Sequence, residues 1–544
     1  MERGIWMLAS VVAAAFLVIG CGSGSGSGTG SPAKSNPDTL VTTTPAPSGQ
    51  ISKFTWALSY EPTSLDYAYA YNYAENTVLS NVCESLMRLT PDYKIAPSLA
   101  TSATHPNATT WVYNLRSGVH FNDGTTMTAA DAVYSLERQI NPKVGSYWAS
   151  WWANVKTIKQ TGPMQVTIAL KKPDVIFPQM MATPAGTIES KAYLMKEGSK
   201  YGTPDGGVDC TGPFSLKKWN KGQSIVLARN ANYWDTSLQA HANEVTFAFL
   251  DNEATRASAL QSGQVDGTFE VPPTAINSLL NAPNGKLYFG PSMQSYDVIV
   301  SSFKGPLGNA DIRRALLLAL DRQGIVNAAL GGRAQVLRAE VAPSSWGYSK
   351  TIFQQAYNAL PAPAMDIAEA KKLVQQAGAP TKPIVLATLA GDSQLSIISL
   401  ALQSAASKIG LSLQIRTLPV AKYATLFFDP KARAGLDMFL TGWYTDVPEP
   451  LNMYSTIFMT GGGSNYNGYS NPTVDHLLGQ ADQTENLDAR ANLITQAQTT
   501  IVHDVPWIPL YAPDVRVFLN SRISGVPTTF VYLYYPWAAT IGAR

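Results

Sequence analysis

The chain has 544 residues, of which 45% are hydrophobic and 14% are charged. This composition excludes an intrinsically disordered protein and indicates a large folded body with two or three core-forming units. The formal net charge is +2 without a long basic run, so nucleic acid is not expected as a partner. The 25 Tyr and 12 Trp residues suit both cores and pockets for organic ligands.

Residues 1–20 have the pattern of an export signal. Ile5 to Ile19 form a mostly apolar run that is shorter than the roughly 20 residues of a membrane span. The run ends in LVIGC at residues 17–21, which resembles the lipobox of bacterial lipoproteins. The resemblance implies cleavage before Cys21 and lipid on its thiol. The alternative is a plain secretory signal with an incidental cysteine.

A low-complexity segment follows the signal. Gly22 to Gly30 alternates Gly with Ser or Thr, and the sequence to Gln50 adds Pro, Thr and Ser. Such a composition cannot bury a core. We therefore expect residues 21–51 to form a flexible tether, with a reach of roughly 30 Å, that holds a globular body at a membrane surface.

The body begins with a pattern of strand, tyrosines and helix. Ile51 to Leu58 alternates and predicts a strand. Tyr67, Tyr69, Tyr71 and Tyr73 share one face if their segment is extended. Most of these tyrosines are expected in the core, with one or two, Tyr71 and Tyr73, lining a cleft. The apolar spacing of residues 76–89 predicts a helix, and Thr128 with Asp131 forms a capping box for another.

The second half of the body predicts a β-α-β-α-β unit. Apolar strands at 383–389, 411–416 and 436–440 alternate with helical patterns at 394–409 and 421–428. This order implies parallel strands with right-handed crossovers. Ligands of such sheets bind beyond the carboxyl ends of the strands.

The last of these strands leads into Gly442, Trp443, Tyr444 and Asp446. Two aromatic rings and a carboxylate on a loop can recognise an apolar group with a positive end. Asp446 with Glu449 also fits a helix N-cap with a capping box. The two roles are compatible because a carboxylate has several lone pairs.

Two cysteines remain in the body, Cys83 and Cys210. Export permits a disulfide, and an exported protein with two body cysteines often pairs them. The alternative is two buried free thiols.

A set of loose motifs, in a fixed order, resembles the bacterial extracellular solute-binding proteins of family 5, the peptide- and nickel-binding receptors of ABC importers. The motifs are EPxxLD at 61–66, PxLA at 97–100, LRxGVxFxDG at 115–124, TAxDAVxSLxR at 128–138, TGPF at 211–214, DIRRAL at 311–316, ALDR at 319–322, GWxxD at 442–446, YSNP at 469–472 and VPWIPL at 505–510. The resemblance covers residues 52–540. The family commonly has Gly at the position of Cys210 and a large aromatic residue at that of Cys83, which supports their pairing.

The resemblance implies an α/β, two-lobed periplasmic-binding-protein-like fold of type II, of the large cluster-C-like class. Lobe I would comprise residues 52–298 and 508–544, with an extra subdomain at about 94–204, and lobe II residues 299–507. In the peptide-binding members the aspartate of GWxxD receives the α-amino group of the peptide. Asp446 is the matching residue, and Gly442 and Tyr444 would supply backbone contacts.

The resemblance also implies a monomer without cofactor that captures a solute outside the cytoplasm and delivers it to ABC permease transmembrane subunits. A short peptide is the leading ligand; a nickel chelate, an oligosaccharide or another organic solute is the alternative. A signalling or scaffold lipoprotein is a further possibility.

A secreted hydrolase is the rival class. The sequence has no Gly-x-Ser-x-Gly elbow, no His-Glu-x-x-His, no paired histidines at metal spacing and no phosphate-binding loop. We expect neither catalytic residues nor a metal site.

Overall fold

The computed structural model describes residues 39–544. The predicted export signal, Cys21 and the Gly/Ser-rich start of the tether lie outside the described residues. The described part contains two large mixed β-sheets, a four-stranded antiparallel sheet and the helices packed around them, which is an α/β architecture.

The strands in chain order are β1 Ile51–Leu58, β2 Glu84–Ser85, β3 Met87–Leu89, β4 Ile95–Pro97, β5 Ala100–Asn107, β6 Thr110–Leu115, β7 Val155–Gly162, β8 Gln165–Leu170, β9 Thr187–Ile188, β10 Phe214–Asn220, β11 Ser224–Arg229, β12 Ala242–Phe249, β13 Gly267–Thr268, β14 Gly285–Gly290, β15 Gln294–Val300, β16 Ala334–Val336, β17 Ile384–Leu389, β18 Leu413–Leu418, β19 Met438–Tyr444, β20 Trp507–Pro513, β21 Val515–Asn520, β22 Ile523–Ser524 and β23 Gly542–Ala543.

The α-helices are α1 Tyr73–Leu79, α2 Ala129–Ile140, α3 Phe177–Met180, α4 Lys191–Glu197, α5 Glu253–Ser262, α6 Ile276–Leu280, α7 Ala310–Ala319, α8 Arg322–Leu330, α9 Lys350–Ala359, α10 Ile367–Ala377, α11 Ser393–Lys408, α12 Val420–Thr425, α13 Pro450–Phe458, α14 Pro472–Ala481 and α15 Leu487–Asp504.

The seven-stranded sheet has the order β10-β11-β12-β1-β13-β21-β14. The predicted first strand is confirmed as β1, which pairs in parallel with β12 from its first residue to its last. Trp56 of β1 is buried against Phe269 and Trp537, with ring centroids 4.8 and 4.6 Å away. Burial of these large rings joins the start and the end of the chain in one core.

The six-stranded sheet has the order β16-β20-β15-β19-β17-β18. Strand β17 is parallel to β18 and to β19, with α11 and α12 as the connections. The predicted β-α-β-α-β unit is therefore confirmed. Strands β15 and β20 continue the sheet on the other side of β19 and pair in antiparallel fashion.

Strand β19 is longer than the sequence predicts. The apolar run indicates a strand that breaks at Gly442, but pairing with β15 continues to Tyr444. Gly442, Trp443 and Tyr444 are thus strand residues rather than loop residues. The reason is that β15, which is distant in sequence, offers a hydrogen-bonding partner beyond Leu440.

The four-stranded sheet has the order β5-β6-β8-β7 and packs with α2. The predicted capping box of α2 is confirmed: the Thr128 side chain accepts from the Asp131 amide, and the Asp131 side chain accepts from the Thr128 amide. These elements fall inside the range predicted for the extra subdomain.

The chain changes sheets at two places. It leaves the seven-stranded sheet after β14 and enters the six-stranded sheet at β15, and it returns between β20 and β21. The residues between these strands are 291–293 and Asp514. The lobe boundaries at 298/299 and 507/508 stay a prediction.

The described end of the predicted tether is bound to the body. The Val41 amide donates to the Phe289 carbonyl, the Thr44 amide donates to the Val526 carbonyl, and Gly49 pairs with Ala543. A flexible tether as far as residue 51 is therefore wrong for this stretch, because backbone partners outweigh its linker-like composition. Among residues 39–544, none of the helices combines the length and apolar character that a membrane crossing requires.

The helix predicted over residues 76–89 is shorter in the structure. Helix α1 ends at Leu79, and the chain then forms β2, which pairs with β9, and β3, which pairs with β4. Val82 and Leu86 are fully buried from these irregular and extended positions. Helical spacing here reflects burial on one side of a winding segment rather than a helix.

Candidate functional site

A cavity of about 1280 Å³, here called the central cavity, is lined by residues of both large sheets. Strands β15 and β19 contribute from the six-stranded sheet, and β21 contributes from the seven-stranded sheet. All six residues predicted to bind ligand line this cavity: Tyr71, Tyr73, Gly442, Trp443, Tyr444 and Asp446. The two halves of the chain thus bring the sequence-predicted residues to one place.

Gly442 lets β19 run close to its neighbour. It lies opposite Tyr296 of β15. A Cβ atom at this position would be 2.6 Å from Nε2 of Gln294 and 3.0 Å from ring atoms of Tyr296. A side chain at residue 442 would therefore displace both groups, and both line the central cavity.

Strand β19 presents an unpaired backbone edge beside the cavity. Within residues 39–544, β17 pairs with β19 only at Met438 and Phe439. The Tyr423 hydroxyl donates to the Leu440 carbonyl and accepts from its amide. The edge from Thr441 to Tyr444 is available for an extended ligand, since open strand edges bind peptides by main-chain hydrogen bonds.

Asp446 follows this strand and is half-buried. The Tyr534 hydroxyl donates to Oδ1 of Asp446 at 2.6 Å. Burial raises the pKa of the Asp446 carboxyl to about 6, and the hydrogen bond from Tyr534 opposes this shift. The carboxylate is therefore held in place and poorly solvated, and it would gain from a cationic partner.

The helix cap that Asp446 could have provided is provided by Glu449. Glu449 is the N-cap of α13, and its Oε1 accepts from the Leu451 amide at 3.2 Å. The Tyr348 hydroxyl donates to the same carboxylate at 2.8 Å, and Nε of Arg490 lies 3.5 Å from it. The capping role of Asp446 is thus wrong, because the helix begins at Pro450, one residue after Glu449.

The tyrosines of residues 67–73 do not share one face. Tyr67 is buried in the core and Tyr69 is exposed, whereas Tyr71 and Tyr73 line the central cavity. The segment turns at Asp66, whose carbonyl accepts from the amides of Tyr69 and Ala70. The period-two pattern fails because the backbone is not extended there.

Aromatic rings form much of the cavity wall. Tyr71 stacks on Tyr147 at 4.1 Å, and Tyr444 contacts Phe530 at 4.5 Å and Tyr73 at 5.7 Å. On the other side of β19, Trp443 packs edge-on against Tyr466 and Trp507 at 6.3 and 6.0 Å. Faces of this kind bind apolar groups and the stems of amphipathic ones.

Several wall residues come from the C-terminal segment and are missed by the sequence reasoning. Phe530 and Tyr532 line the cavity, and Tyr534 holds Asp446. The run FVYLYY at 530–535 is an aromatic signal that could have indicated them. Arg516 of β21 also lines the cavity, and nothing in its local sequence marks it as a ligand residue.

A family model matches most of the chain. Residues 94–465 match the model for bacterial extracellular solute-binding proteins, family 5 middle region. The chain belongs to family 5 of these binding proteins. This match covers residues 442–446, which include the glycine, the tryptophan and the carboxylate described above.

Relatives of this family 5 protein span almost its whole length. It is 27% identical over 476 residues to the glutathione-binding protein GsiB of Escherichia coli (strain K12), covering 85% of this chain and 89% of GsiB. Its fold matches that of DppA from Helicobacter pylori in complex with peptide STSA, with TM-score 0.80, 22% identity and coverage of 91% and 98%. It also matches AgaA from A.tumefacien R10 in complex with agropinic acid, with TM-score 0.79, 22% identity and coverage of 91% and 98%. The predicted two-lobed binding-protein fold is confirmed.

Carboxylates outnumber cations in the wall of the central cavity of this family 5 protein. The acidic residues are Asp174, Asp251, Glu253, Glu270, Asp392, Asp446, Asp482 and Asp514, and the basic residues are Lys172, Arg256 and Arg516. An acidic cleft favours a ligand that carries a positive group.

Cys83 and Cys210 are joined in a disulfide with an S–S distance of 2.05 Å. Both lie in the core, far along the chain from each other. Glu189 lies beside the two sulfur atoms, but it forms an ion pair with Arg138 at 2.7 Å. Because the sulfur atoms are bonded to each other, this cluster is a structural link rather than a metal site.

Proposed function

We propose that this protein captures a short peptide in the central cavity and delivers it to the permease of an ABC importer. One observation carries the proposal. The half-buried Asp446 carboxylate, fixed by Tyr534, lines a cavity next to the open edge of β19. A carboxylate beside an unpaired strand edge suits the α-amino group and main chain of an extended peptide.

In this proposal Asp446 receives the ammonium group, and the backbone of Gly442 and Tyr444 pairs with the peptide. Trp443, Tyr71 and Tyr73 contact its side chains. Lobe I comprises residues 52–298 and 508–544, and lobe II residues 299–507. They close over the ligand by a hinge motion.

We further propose that the protein acts outside the cytoplasm and works with an ABC importer. A monomer is tethered outside the cytoplasm by lipid on Cys21 and presents its ligand to the transmembrane subunits. Adjacent permease and ATPase genes would support import. Their absence would favour a signalling or scaffold lipoprotein.

The named relatives support the ligand class. GsiB is a glutathione-binding protein, and DppA is seen with a peptide. A second candidate is a non-peptide organic solute, which the likeness to AgaA with agropinic acid favours. The excess of cavity carboxylates argues for the peptide, because every linear peptide with a free N-terminus carries an ammonium group.

The test uses a pool of tri- and tetrapeptides with free α-amino groups and the same pool after N-acetylation. Each pool is dialysed against the wild-type protein and against Asp446→Asn, and retained peptides are quantified by mass spectrometry. Loss of a buried charge pair costs about 3–5 kcal/mol, so Asp446→Asn should weaken retention of the free-amine pool by roughly a hundredfold or more.

The matched control is Asp251→Asn, which removes an exposed carboxylate of the same cavity. We expect this variant to retain the free-amine pool as the wild type does. Equal retention of the acetylated pool, or unchanged retention by Asp446→Asn, contradicts the role of Asp446. Retention of neither pool by the wild type contradicts the peptide class.

A further inference from the structure

Arg516 on β21 is a cation of the central cavity that forms no ion pair with another residue of the described range. Its Nε and Nη1 atoms are covered by protein, and neither has a hydrogen-bond partner within residues 39–544. In the same range no carboxylate oxygen lies within 4.0 Å of its guanidinium. Desolvation lowers the pKa of Arg516, and the charge of Asp514 only partly opposes this shift.

The other two cations of the cavity wall are satisfied. Arg256 donates from Nε to the Glu270 carbonyl at 3.0 Å and from Nη1 to the Leu250 carbonyl at 2.6 Å. Lys172 forms an ion pair with Asp482 at 3.1 Å. Arg516 therefore differs from them by its lack of a counter-group, rather than by its place in the cavity.

Three acids of the same cavity wall have partners other than Arg516. Asp392 is the N-cap of α11, and its Oδ1 accepts from the Leu395 amide at 2.8 Å. Oε2 of Glu270 accepts from the Ser59 amide at 2.8 Å. Asp514 interacts with Arg333 as well as with Arg516. Besides Asp514, the groups that favour the charged form of Arg516 are tyrosines, which are neutral at ordinary pH.

We propose that Arg516 binds a carboxylate group of the ligand. Nη2 is the guanidinium nitrogen of Arg516 that is not among the covered atoms, and a charge-assisted hydrogen bond from it to a carboxylate would compensate the buried charge. The assignment of this carboxylate to a peptide rests on the proposed function. The carboxylate is then the C-terminus of the peptide or an acidic side chain.

Asp446 and Arg516 both line the central cavity, together with aromatic rings that contact one another. Tyr444, two residues before Asp446, contacts Phe530 at 4.5 Å, and Phe530 contacts Tyr532 at 5.9 Å. A ligand that pairs with both Asp446 and Arg516 would be a zwitterion.

The experiment compares the free-acid peptide pool with the same pool carrying C-terminal amides. The proteins are the wild type, Arg516→Met, which keeps an apolar stem, and the control Lys172→Gln. The wild type and Lys172→Gln should prefer the free acids by tenfold or more, and Arg516→Met should lose this preference while still rejecting N-acetylated peptides. If the C-terminal amides bind as tightly as the free acids, but peptides with Asp or Glu are enriched among those bound, Arg516 binds the carboxylate of a side chain. An unchanged preference in Arg516→Met overturns the proposal.

A second readout separates ligand binding from a structural role. After ligand is stripped by mild denaturant and dialysis, Arg516→Met should melt at or above the wild-type temperature, because it removes an uncompensated charge. A lower melting temperature identifies a structural residue and overturns the proposal. If the wild type retains no peptide, the peptide function fails. In that case the wild type and Arg516→Met are tested with a pool of small mono- and dicarboxylic acids. If the wild type retains such acids and Arg516→Met does not, the role of Arg516 stands. If the wild type retains none of them, the proposal is overturned.

Discussion

At the scale of single residues, the environment of Asp446 determines its chemistry. Burial raises the pKa of its carboxyl to about 6, while Tyr534 donates to Oδ1 and favours the ionised form. An ammonium ligand pairs with the ionised form only. Binding of such a ligand therefore depends on the fraction of Asp446 that has lost its proton.

We expect the affinity for a free-amine peptide to fall about tenfold between pH 7 and pH 5, because the ionised fraction of a group with a pKa of about 6 falls by that factor. The α-amino group stays protonated over this range. Calorimetry at several pH values measures the profile. Tyr534→Phe should move the midpoint to higher pH, since it removes the hydrogen bond that lowers the pKa. A profile that is flat in the wild type would show that Asp446 does not face the ammonium.

The sequence predicts some of the site residues but not their partners. The GWxxD motif indicated Asp446, and the strand pattern placed it at the carboxyl end of β19. Its partner Tyr534 lies 88 positions later in the chain. No local pattern links two residues that tertiary packing alone brings together. For the same reason the sequence did not indicate Arg516 as a cavity residue.

At the scale of elements, the N-cap of α13 fixes the path of the segment between β19 and this helix. Glu449 caps this helix from a fully buried position, with Tyr348 and Arg490 as further partners. The Arg490 side chain is itself only 7% exposed. Removal of the Glu449 carboxylate therefore leaves a buried cation without its nearest acid.

We expect Glu449→Ala to lower the free energy of unfolding by about 3–5 kcal/mol, the usual effect of breaking a buried ion pair. Urea unfolding followed by circular dichroism measures the change. Asp366→Ala is the control, because Asp366 caps α10 from an exposed position through the Glu369 amide and should cost only about 1 kcal/mol. Equal losses in the two variants would show that the Arg490 pair adds nothing to the cap.

Of the three scales, the secondary-structure elements are predicted best from the sequence. The alternation of strands and helices from residue 383 to residue 440 gave the parallel unit with its order, because each element has a local period. The end of β19 and the cap were wrong in the prediction. Both depend on partners from elsewhere: β15 extends the strand, and the position of Pro450 selects Glu449 over Asp446 as the N-cap.

At the scale of the whole molecule, the chain returns to its beginning. The last residues pack on β1, and residues 41–49 pair with the C-terminal segment. The Cys83–Cys210 disulfide closes another long loop, with a sequence separation of 127. The motif set predicted the two-lobed fold, but a composition that indicates a linker could not reveal that residues 41–49 find backbone partners.

Reduction of the disulfide should lower the free energy of unfolding by about 2–4 kcal/mol, because the bond restricts the unfolded chain across a long loop. Urea unfolding with and without reductant measures the loss. A variant with Cys83→Ser and Cys210→Ser should show the lower stability already and no response to reductant. Peptide mapping after thiol labelling of the unreduced protein should find neither cysteine modified; two labelled thiols would rule out the bond.

The central claim is that the cavity between the two large sheets holds a short peptide by its ammonium group. The most direct measurement is mass spectrometry of the ligand released from protein that was purified from cells without denaturation. We predict short peptides with free α-amino groups, absent from Asp446→Asn purified in the same way. Recovery of an oligosaccharide, a metal chelate or another solute without an amine would contradict the account.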